Sequence, residues 1–172
     1  DDKNPKAGIY YEERTPAHFA AEYGHISALK TIVSNLNSDI NPSASNGWTV
    51  MHYGAYYGKL KVVQFYASRL INKNPGETAN DEYRNRTPLH YASQEGYLDI
   101  VKFLCSLLAD KNPADDNGWT PLHSAANNGH LDVVKYLVER VQNKNPKSGV
   151  HWDERTPLPP WSGARTQRKK LH

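Results

Sequence analysis

A block of 19 residues recurs four times along this chain, and this repetition constrains the fold more than any other feature. The copies are TPAHFAAEYGHISALKTIV from Thr15, TVMHYGAYYGKLKVVQFYA from Thr49, TPLHYASQEGYLDIVKFLC from Thr87 and TPLHSAANNGHLDVVKYLV from Thr120. A fifth start, TPL, falls at Thr156, so successive starts lie 34, 38, 33 and 36 residues apart. One unit of this size cannot bury its apolar face alone, so the units must stack side by side.

Each copy predicts two short helices. The threonine caps the first helix, and a proline in the first turn loses no N–H that the helix needs. A glycine with positive φ is expected to end that helix, at Gly24, Gly58, Gly96 and Gly129. Apolar residues then recur at helical spacing, as in Leu98, Ile100, Val101, Phe103 and Leu104, and in Leu131, Val133, Val134, Tyr136 and Leu137. An Asn-Pro pair closes each unit, beginning at Asn41, Asn74, Asn112 and Asn145.

These residues resemble the ankyrin repeat, in which Thr-Pro-Leu-His, an alanine pair, a glycine and a second apolar helix recur about every 33 residues. The resemblance implies an all-α solenoid of helix-turn-helix units joined by hairpin-like finger loops. We expect the repeat domain to cover residues 1–158, with full repeats starting near Thr15, Thr49, Thr87 and Thr120 and a partial fifth at Thr156. Residues 159–172 would form a C-terminal cap and a basic tail, which we expect to be disordered.

The fifth copy fails because Pro159 and Pro160 follow its Thr-Pro-Leu start, and neither can sit inside a helix. A terminal repeat needs a cap, since its stacking face would otherwise meet water. Leu158 and Trp161 are the large apolar residues that this region offers. We expect them to fold back over the fourth unit.

The repeat also accounts for most of the residues that could carry chemistry. The resemblance implies that His18, His52, His90 and His123 are structural hydrogen-bonding groups between loop and helix. Cys105 lies in an apolar run, which is typical of a core residue. The sequence shows no paired carboxylates, Cys/His cluster or phosphate-binding glycine loop. We therefore expect a chain that is not an enzyme, with no metal, no cofactor and no small-molecule substrate.

Composition limits the environment. The longest apolar stretch, IVKFLCSLLA, is too short to span a bilayer, so no membrane association is expected. One cysteine favours a reducing compartment, and the first residues, DDKNPKAG, lack the layout of a signal peptide. These features predict an intracellular chain, cytoplasmic or nuclear. We expect it to be a monomer.

The fingers are where the copies differ. From the Asn of each Asn-Pro to the next threonine, the distances are 11, 8, 13, 8 and 11 residues, so long and short fingers alternate. The residue before the threonine alternates with them, as Arg14, Trp48, Arg86, Trp119 and Arg155. The array thus has a period of two units.

The resemblance implies that finger tips and first helices line a concave face that binds a protein partner. We expect Trp48, Trp119, Tyr56 and Tyr57 to supply apolar contact there, with Arg14, Arg86 and Arg155 pairing acidic groups on the partner. The remaining candidates are Tyr11, Tyr83 and Trp152 in the fingers and Tyr23, Gln94, Glu95, Asn127 and Asn128 on the first helices. An alternative is that neighbouring arginines and tryptophans stack on one another along the fingers.

Other functions remain open at this stage. The formal charge of +3 comes from the tail, where Arg165, Arg168, Lys169 and Lys170 are accompanied by no acid. Nucleic acid or an import receptor is therefore expected as a partner only through this tail. The chain could instead be a segment of a longer scaffold that stacks on itself. The resemblance also makes Asn41 a candidate for asparagine hydroxylation, against a plain role in the turn.

Overall fold

The computed structural model describes residues 13–35, 40–77 and 85–148, which form four consecutive helix pairs. Within these ranges there is no strand beyond an isolated antiparallel bridge between Ser43 and Thr49. The expected all-α solenoid is confirmed. The helices are α1 (Pro16–Tyr23), α2 (Ile26–Asn35), α3 (Val50–Tyr56), α4 (Leu60–Ala67), α5 (Pro88–Gln94), α6 (Leu98–Leu107), α7 (Pro121–Asn127) and α8 (Leu131–Val138).

A Thr–His pair begins the first helix of every unit. Each threonine is the N-cap, and the histidine three residues later bonds back to it. In the second unit the backbone N–H of Thr49 donates to His52 Nδ1 at 3.1 Å. Because Nδ1 accepts, the ring proton sits on Nε2, which donates to the carbonyl of Arg86 at 3.0 Å. The expected hydrogen bonding between helix and loop is confirmed.

The glycines end the first helices as expected. Gly24, Gly58, Gly96 and Gly129 have φ values of 78°, 69°, 77° and 77°, in the left-handed region that favours glycine. The following unit also covers this corner. The ring of Tyr97 comes within 2.6 Å of the place where a Cβ on Gly58 would lie.

The helices form two layers with the core between them. The first helices α1, α3, α5 and α7 pack in sequence against one another, and α4, α6 and α8 do the same on the other side. Small residues at the contact let the two layers approach closely. A Cβ on Gly54 would lie 2.8 Å from the side chain of Val62, so this pair of helices has no room for alanine without movement.

The fingers are hairpin-like, as the resemblance implied. In the short fingers, backbone N–H groups of Ala44 and Asp115 donate to the carbonyls of Trp48 and Trp119, at 2.9 and 2.8 Å. The described base of the third unit's long finger has the same pairing, with the N–H of Glu77 donating to the carbonyl of Arg86 at 2.8 Å. These three fingers share the same backbone pairing at their base, and they differ in length beyond it.

The Asn-Pro asparagines tie each finger to the helix that follows it. The Oδ1 atoms of Asn41, Asn74 and Asn112 accept backbone N–H groups in the first turns of α3, α5 and α7, at 3.1, 3.1 and 2.9 Å. These bonds satisfy helix donors that have no partner within the helix. The asparagine side chain therefore has a structural role in three successive units.

The partial fifth repeat at Thr156, the cap by Leu158 and Trp161, and the tail of residues 159–172 lie outside the described residues. The boundary between repeat domain and tail therefore stays a prediction. In the part of the chain that the structure describes, the helices are all too short and too polar to cross a bilayer.

We predict that His52→Phe lowers the free energy of unfolding by about 2–4 kcal/mol, because it leaves the buried N–H of Thr49 without an acceptor and removes one of the two donors to the carbonyl of Arg86. Urea unfolding followed by circular dichroism would measure the loss. The control is His25→Phe at an exposed position, which should change stability by less than about 0.5 kcal/mol. Equal midpoints for the two variants would contradict a structural role for the buried ring.

Candidate functional site

Two columns of side chains interleave along the fingers and first helices. One column is the residue before each threonine, and the other is the fourth residue after it. Their members interleave across unit boundaries, and we call this set of residues the finger ladder. It consists of Phe19, Arg14, Tyr53, Trp48, Tyr91, Arg86 and Trp119.

Arg14 is the finger-ladder residue before the threonine of the first unit. Its guanidinium lies over the rings of Phe19, in its own unit, and Tyr53, in the next, at 4.3 Å from each ring centroid. The same group forms an ion pair with Glu22 one turn further along α1. Cation–π contacts on both faces and a carboxylate at the edge hold this arginine between two units.

Trp48 joins the second and third units. Its ring centroid lies 5.3 Å from that of Tyr53 and 4.3 Å from that of Tyr91. Tyr56, on the next turn of α3, adds a third ring at 5.1 Å. This aromatic cluster buries most of the indole, so only part of it faces solvent.

Arg86 is buried, with 9% of its surface exposed. Its Nε donates to Asp115 Oδ2 at 3.2 Å in the next finger, and an Nη donates to Gln94 Oε1 at 3.3 Å. Trp119 lies 6.0 Å from the guanidinium. Arg14 and Arg86 are thus matched inside the chain, instead of standing on the surface, where we expected them to pair acidic groups on a partner. The alternative of arginine stacking on tryptophan fits Arg86, whereas Arg14 stacks on Phe19 and Tyr53.

Trp119 is held more by polar contacts than Trp48 is. Its indole N–H donates to Ser124 Oγ at 3.0 Å, and its ring stacks on His123 at 5.0 Å between centroids. Ser124 stands where the earlier units have an aromatic ring, so no ring lies between Arg86 and Trp119.

Glu77 is a carboxyl group buried beside the ladder. The hydroxyl of Tyr91 donates to its Oε2 at 2.6 Å, while its Oε1 has no hydrogen-bond partner. Burial raises the pKa of Glu77 to about 7, against the lowering effects of Tyr91 and of the Arg86 charge. The carboxyl is therefore only partly ionised near neutral pH. Burial likewise raises the pKa of Tyr91, so its hydroxyl stays protonated as a donor.

Beyond the ladder, the exposed ends of the first helices form a second surface, which we call the helix-end surface. Tyr23 is 63% exposed and Tyr57 is 37% exposed. Tyr57 stacks nearly parallel to Tyr53, with 6.4 Å between centroids, and meets Tyr56 edge-on at 5.1 Å. Burial, followed by the Glu22 charge, raises the pKa of Tyr57. In the later units the surface is polar, with Gln94 and Glu95 half-buried and Asn127 and Asn128 exposed.

Four of the expected contact residues lie outside the described residues, namely Tyr11, Tyr83, Trp152 and Arg155. Of the other eleven, four lie in the finger ladder and six on the helix-end surface, and Tyr56 packs beside Trp48 between the two. Sequence reasoning missed Phe19, Tyr53, Tyr91 and Glu77. A signal was present for the first three, because an aromatic residue stands four places after the threonine in three of the four units.

The buried cysteine and two buried histidines have pKa values that keep them uncharged near neutral pH. Cys105 is buried in the core as expected, and burial raises the pKa of its thiol to about 11. Burial lowers the pKa of His52 to about 4 and that of His90 to about 3, so both rings are neutral. Within residues 13–35, 40–77 and 85–148, His, Cys, Asp and Glu do not gather in groups that could hold a metal ion.

Comparison with known proteins identifies the class that this architecture defines. A family model for ankyrin repeats matches three overlapping copies, at residues 1–75, 18–115 and 67–148. The chain therefore belongs to the ankyrin repeat family, whose repeats form a non-catalytic fold that mediates interactions between proteins.

A human protein, NAD-capped RNA hydrolase NUDT12, is 32% identical over 74 residues. That match covers 40% of this chain and 16% of the human protein, so the chain spans a small part of this relative's length. The name of that protein states a hydrolase activity, and a match of this extent does not assign that activity to this chain.

We predict opposing effects of pH on stability. His52 and His90 stay neutral when folded but take up a proton near pH 6.5 when unfolded, so acidification below about 6.5 destabilises the protein. Glu77 acts in the other direction, because its folded pKa of about 7 exceeds the unfolded value of 4.5. It therefore adds stability as the pH falls from about 7 to 4.5.

The variant Glu77→Gln removes the opposing contribution. The unfolding free energy of the variant minus that of the parent chain should increase by roughly 2–3 kcal/mol as the pH rises from 4.5 to 8. Urea unfolding at half-unit pH intervals would measure this difference, with Glu139→Gln as the exposed control. A difference between Glu77→Gln and parent that does not change with pH would show that the carboxyl titrates normally.

We also predict that Arg86→Met destabilises the chain by about 3–5 kcal/mol, because Asp115 would remain as a buried charge without its partner. Adding Asp115→Asn should recover most of this loss, since the amide keeps the acceptor oxygen for the finger turn and removes the charge. Thermal and urea unfolding of both variants would measure the recovery. Strictly additive losses would mean that the two side chains are not coupled.

Proposed function

We propose that this chain is a non-catalytic module that binds a protein partner on its helix-end surface, next to the finger ladder. The observation that supports this most directly is the pair of exposed rings, Tyr23 and Tyr57, on adjacent first helices. Tyrosine is among the residue types that most often carry binding energy at protein interfaces. Its ring gives apolar contact area, and its hydroxyl can bond a polar group.

The finger ladder suits this role as a rigid support. Trp48, Tyr53 and Tyr56 pack behind Tyr57, so its ring is already held by neighbouring rings. A partner that meets a fixed side chain pays less conformational entropy than one that must order a mobile chain. We propose that the ladder is the foundation of the site and that the helix ends make the contact.

The helix-end surface differs between its two ends, and this difference would fix the direction in which a partner segment binds. Asn127 and Asn128 are exposed on the fourth unit, while Tyr23 and Tyr57 are exposed on the first two. We infer that an extended segment crossing the units meets apolar rings at one end and amide groups at the other. This asymmetry would orient the segment.

A capture experiment tests the proposed function. Tyr23→Ala/Tyr57→Ala should reduce capture of the partner from cell extract by at least about tenfold, because two exposed rings are removed from the contact. Captured proteins would be identified by mass spectrometry, and their affinity for the purified chain would be measured directly.

The matched control is Ile71→Ala/Leu107→Ala, which removes two exposed apolar side chains from the second-helix side. It should leave capture within about twofold of the parent chain. A third chain ending at Ser162 separates the helix-end surface from the basic tail. If capture survives the tyrosine substitutions and is lost on truncation, the tail carries recognition and the proposal fails. Circular dichroism confirms that each variant is folded.

A further inference from the structure

The charged residues of the four units are divided between the two layers of the fold. We call the fingers and first helices, residues 13–23, 43–57, 76–77, 85–95 and 114–128, the finger side. The second helices and the loops after them, residues 24–35, 40–42, 58–75, 96–113 and 129–146, are the back side. The finger side carries two basic residues and six acidic ones: Arg14 and Arg86, against Glu13, Glu22, Glu77, Glu95, Asp115 and Asp116.

The back side has the opposite balance. It carries ten basic residues and four acidic ones: Lys30, Lys59, Lys61, Arg69, Lys73, Lys102, Lys111, Lys135, Arg140 and Lys144, against Asp99, Asp110, Asp132 and Glu139. Lys147 begins the next finger and belongs to neither set. The near-neutral body of the chain thus conceals two oppositely charged sides.

Both basic residues of the finger side are already matched. Arg14 is paired with Glu22, and Arg86 with Asp115. The acids left after this pairing include Glu95, at the end of α5, and the exposed Asp116 in the fourth finger. Beyond the counted ranges, the long fingers add Glu12, Asp81, Glu82, Asp153 and Glu154 in the sequence, against Lys6, Arg84, Lys147 and Arg155. The potential available to a partner on this side is therefore negative.

The exposed rings on the same side complement a cation in a second way. The face of an aromatic ring attracts an ammonium or guanidinium group, and this attraction adds to that of nearby carboxylates. Tyr57 lies close enough to Glu22 for the carboxylate to act on its hydroxyl. The exposed rings lie on the first two units, and Glu95 and Asp116, acids outside the two ion pairs, lie on the third and fourth.

From this charge complementarity we propose that the partner segment bound on the finger side is rich in lysine and arginine. The inference rests on the proposed function and specifies the chemistry of its partner. An acidic segment would meet unmatched carboxylates on the finger side, and like charges across an interface oppose binding. A basic segment that crosses the units would meet aromatic faces on the first two and carboxylates on the third and fourth, without having to displace Arg14 or Arg86 from their internal partners.

Calorimetric titration with three synthetic 12-residue peptides tests the proposal. The first alternates Lys or Arg with Leu and Ser; the second has Glu, and the third Gln, at every Lys or Arg position. At 50 mM salt, the basic peptide should bind the intact chain at least about tenfold more tightly than the acidic one. Raising the salt to 300 mM should weaken the basic peptide most, because added salt screens exposed charges.

Two charge-reversal variants locate the binding. Glu95→Lys and Glu139→Lys make the same change at the C-terminal cap of a helix, the first on the finger side and the second on the back side. Glu95→Lys should weaken the basic peptide about three- to tenfold, and Glu139→Lys should leave it within about twofold. Tyr57→Ala should weaken it by a similar factor to Glu95→Lys.

The outcomes separate this inference from the proposed function. If the acidic or neutral peptide binds more tightly, and Tyr57→Ala abolishes that binding, the finger side is a binding surface and the basic partner is overturned. If the basic peptide binds but Glu139→Lys weakens it as much as Glu95→Lys does, the attraction is not specific to this side and the inference fails. Failure of all three peptides to bind also counts against a basic segment, while the capture experiment judges the proposed function independently.

Discussion

The second and third units of this protein each depend on one neutral histidine ring held between two backbone groups. Nδ1 takes the N–H at the start of a first helix, and in the second and third units Nε2 gives its proton to the carbonyl just before the next threonine. Both ends of the ring are thus committed to backbone, one in its own unit and one in the neighbour. A buried ring can do this only when it is uncharged, since a second ring proton would leave Nδ1 without its acceptor role. Burial lowers the pKa of His52 and His90 and so keeps these rings in the neutral form that the two hydrogen bonds require.

The histidine hydrogen bonds hold neighbouring units at a fixed spacing, and the side chains of the finger ladder interleave within that spacing. In the second unit the His52 ring holds the carbonyl of Arg86, and the Trp48 side chain of that unit lies between the rings of Tyr53 and Tyr91. Arg14 and Trp48 both fill such a gap, one with a planar cation and the other with an indole. Both are flat groups that stack on aromatic rings, which explains how two such different residues can alternate at one position.

The sequence was sufficient for the elements whose partners lie close by in the chain. The threonine, histidine and glycine positions have local causes, and the structure confirms the helices, the left-handed glycines and the hairpin-like fingers that they predict. The arginines show where this reasoning stops. A spacing pattern places Arg86 before a threonine, but its partner Asp115 lies 29 residues away in a finger of different length. Glu77 is similar, because the hydroxyl that it accepts belongs to Tyr91 in the next first helix. Such pairings depend on how neighbouring units are packed, which a repeat pattern alone does not contain.

This internal pairing changes what the finger side can recognise. From the sequence alone, three regularly spaced arginines indicate a surface for acidic groups. In the structure, Arg14 and Arg86 are committed to Glu22 and Asp115, and removing either cation from its carboxylate would cost desolvation and cation–π energy together. The charge outside these two ion pairs is that of acids such as Glu95 and Asp116. Of the three arginines that suggested an acidic partner, the two that the structure describes are therefore engaged inside the chain, and this engagement is the basis of the proposed basic partner.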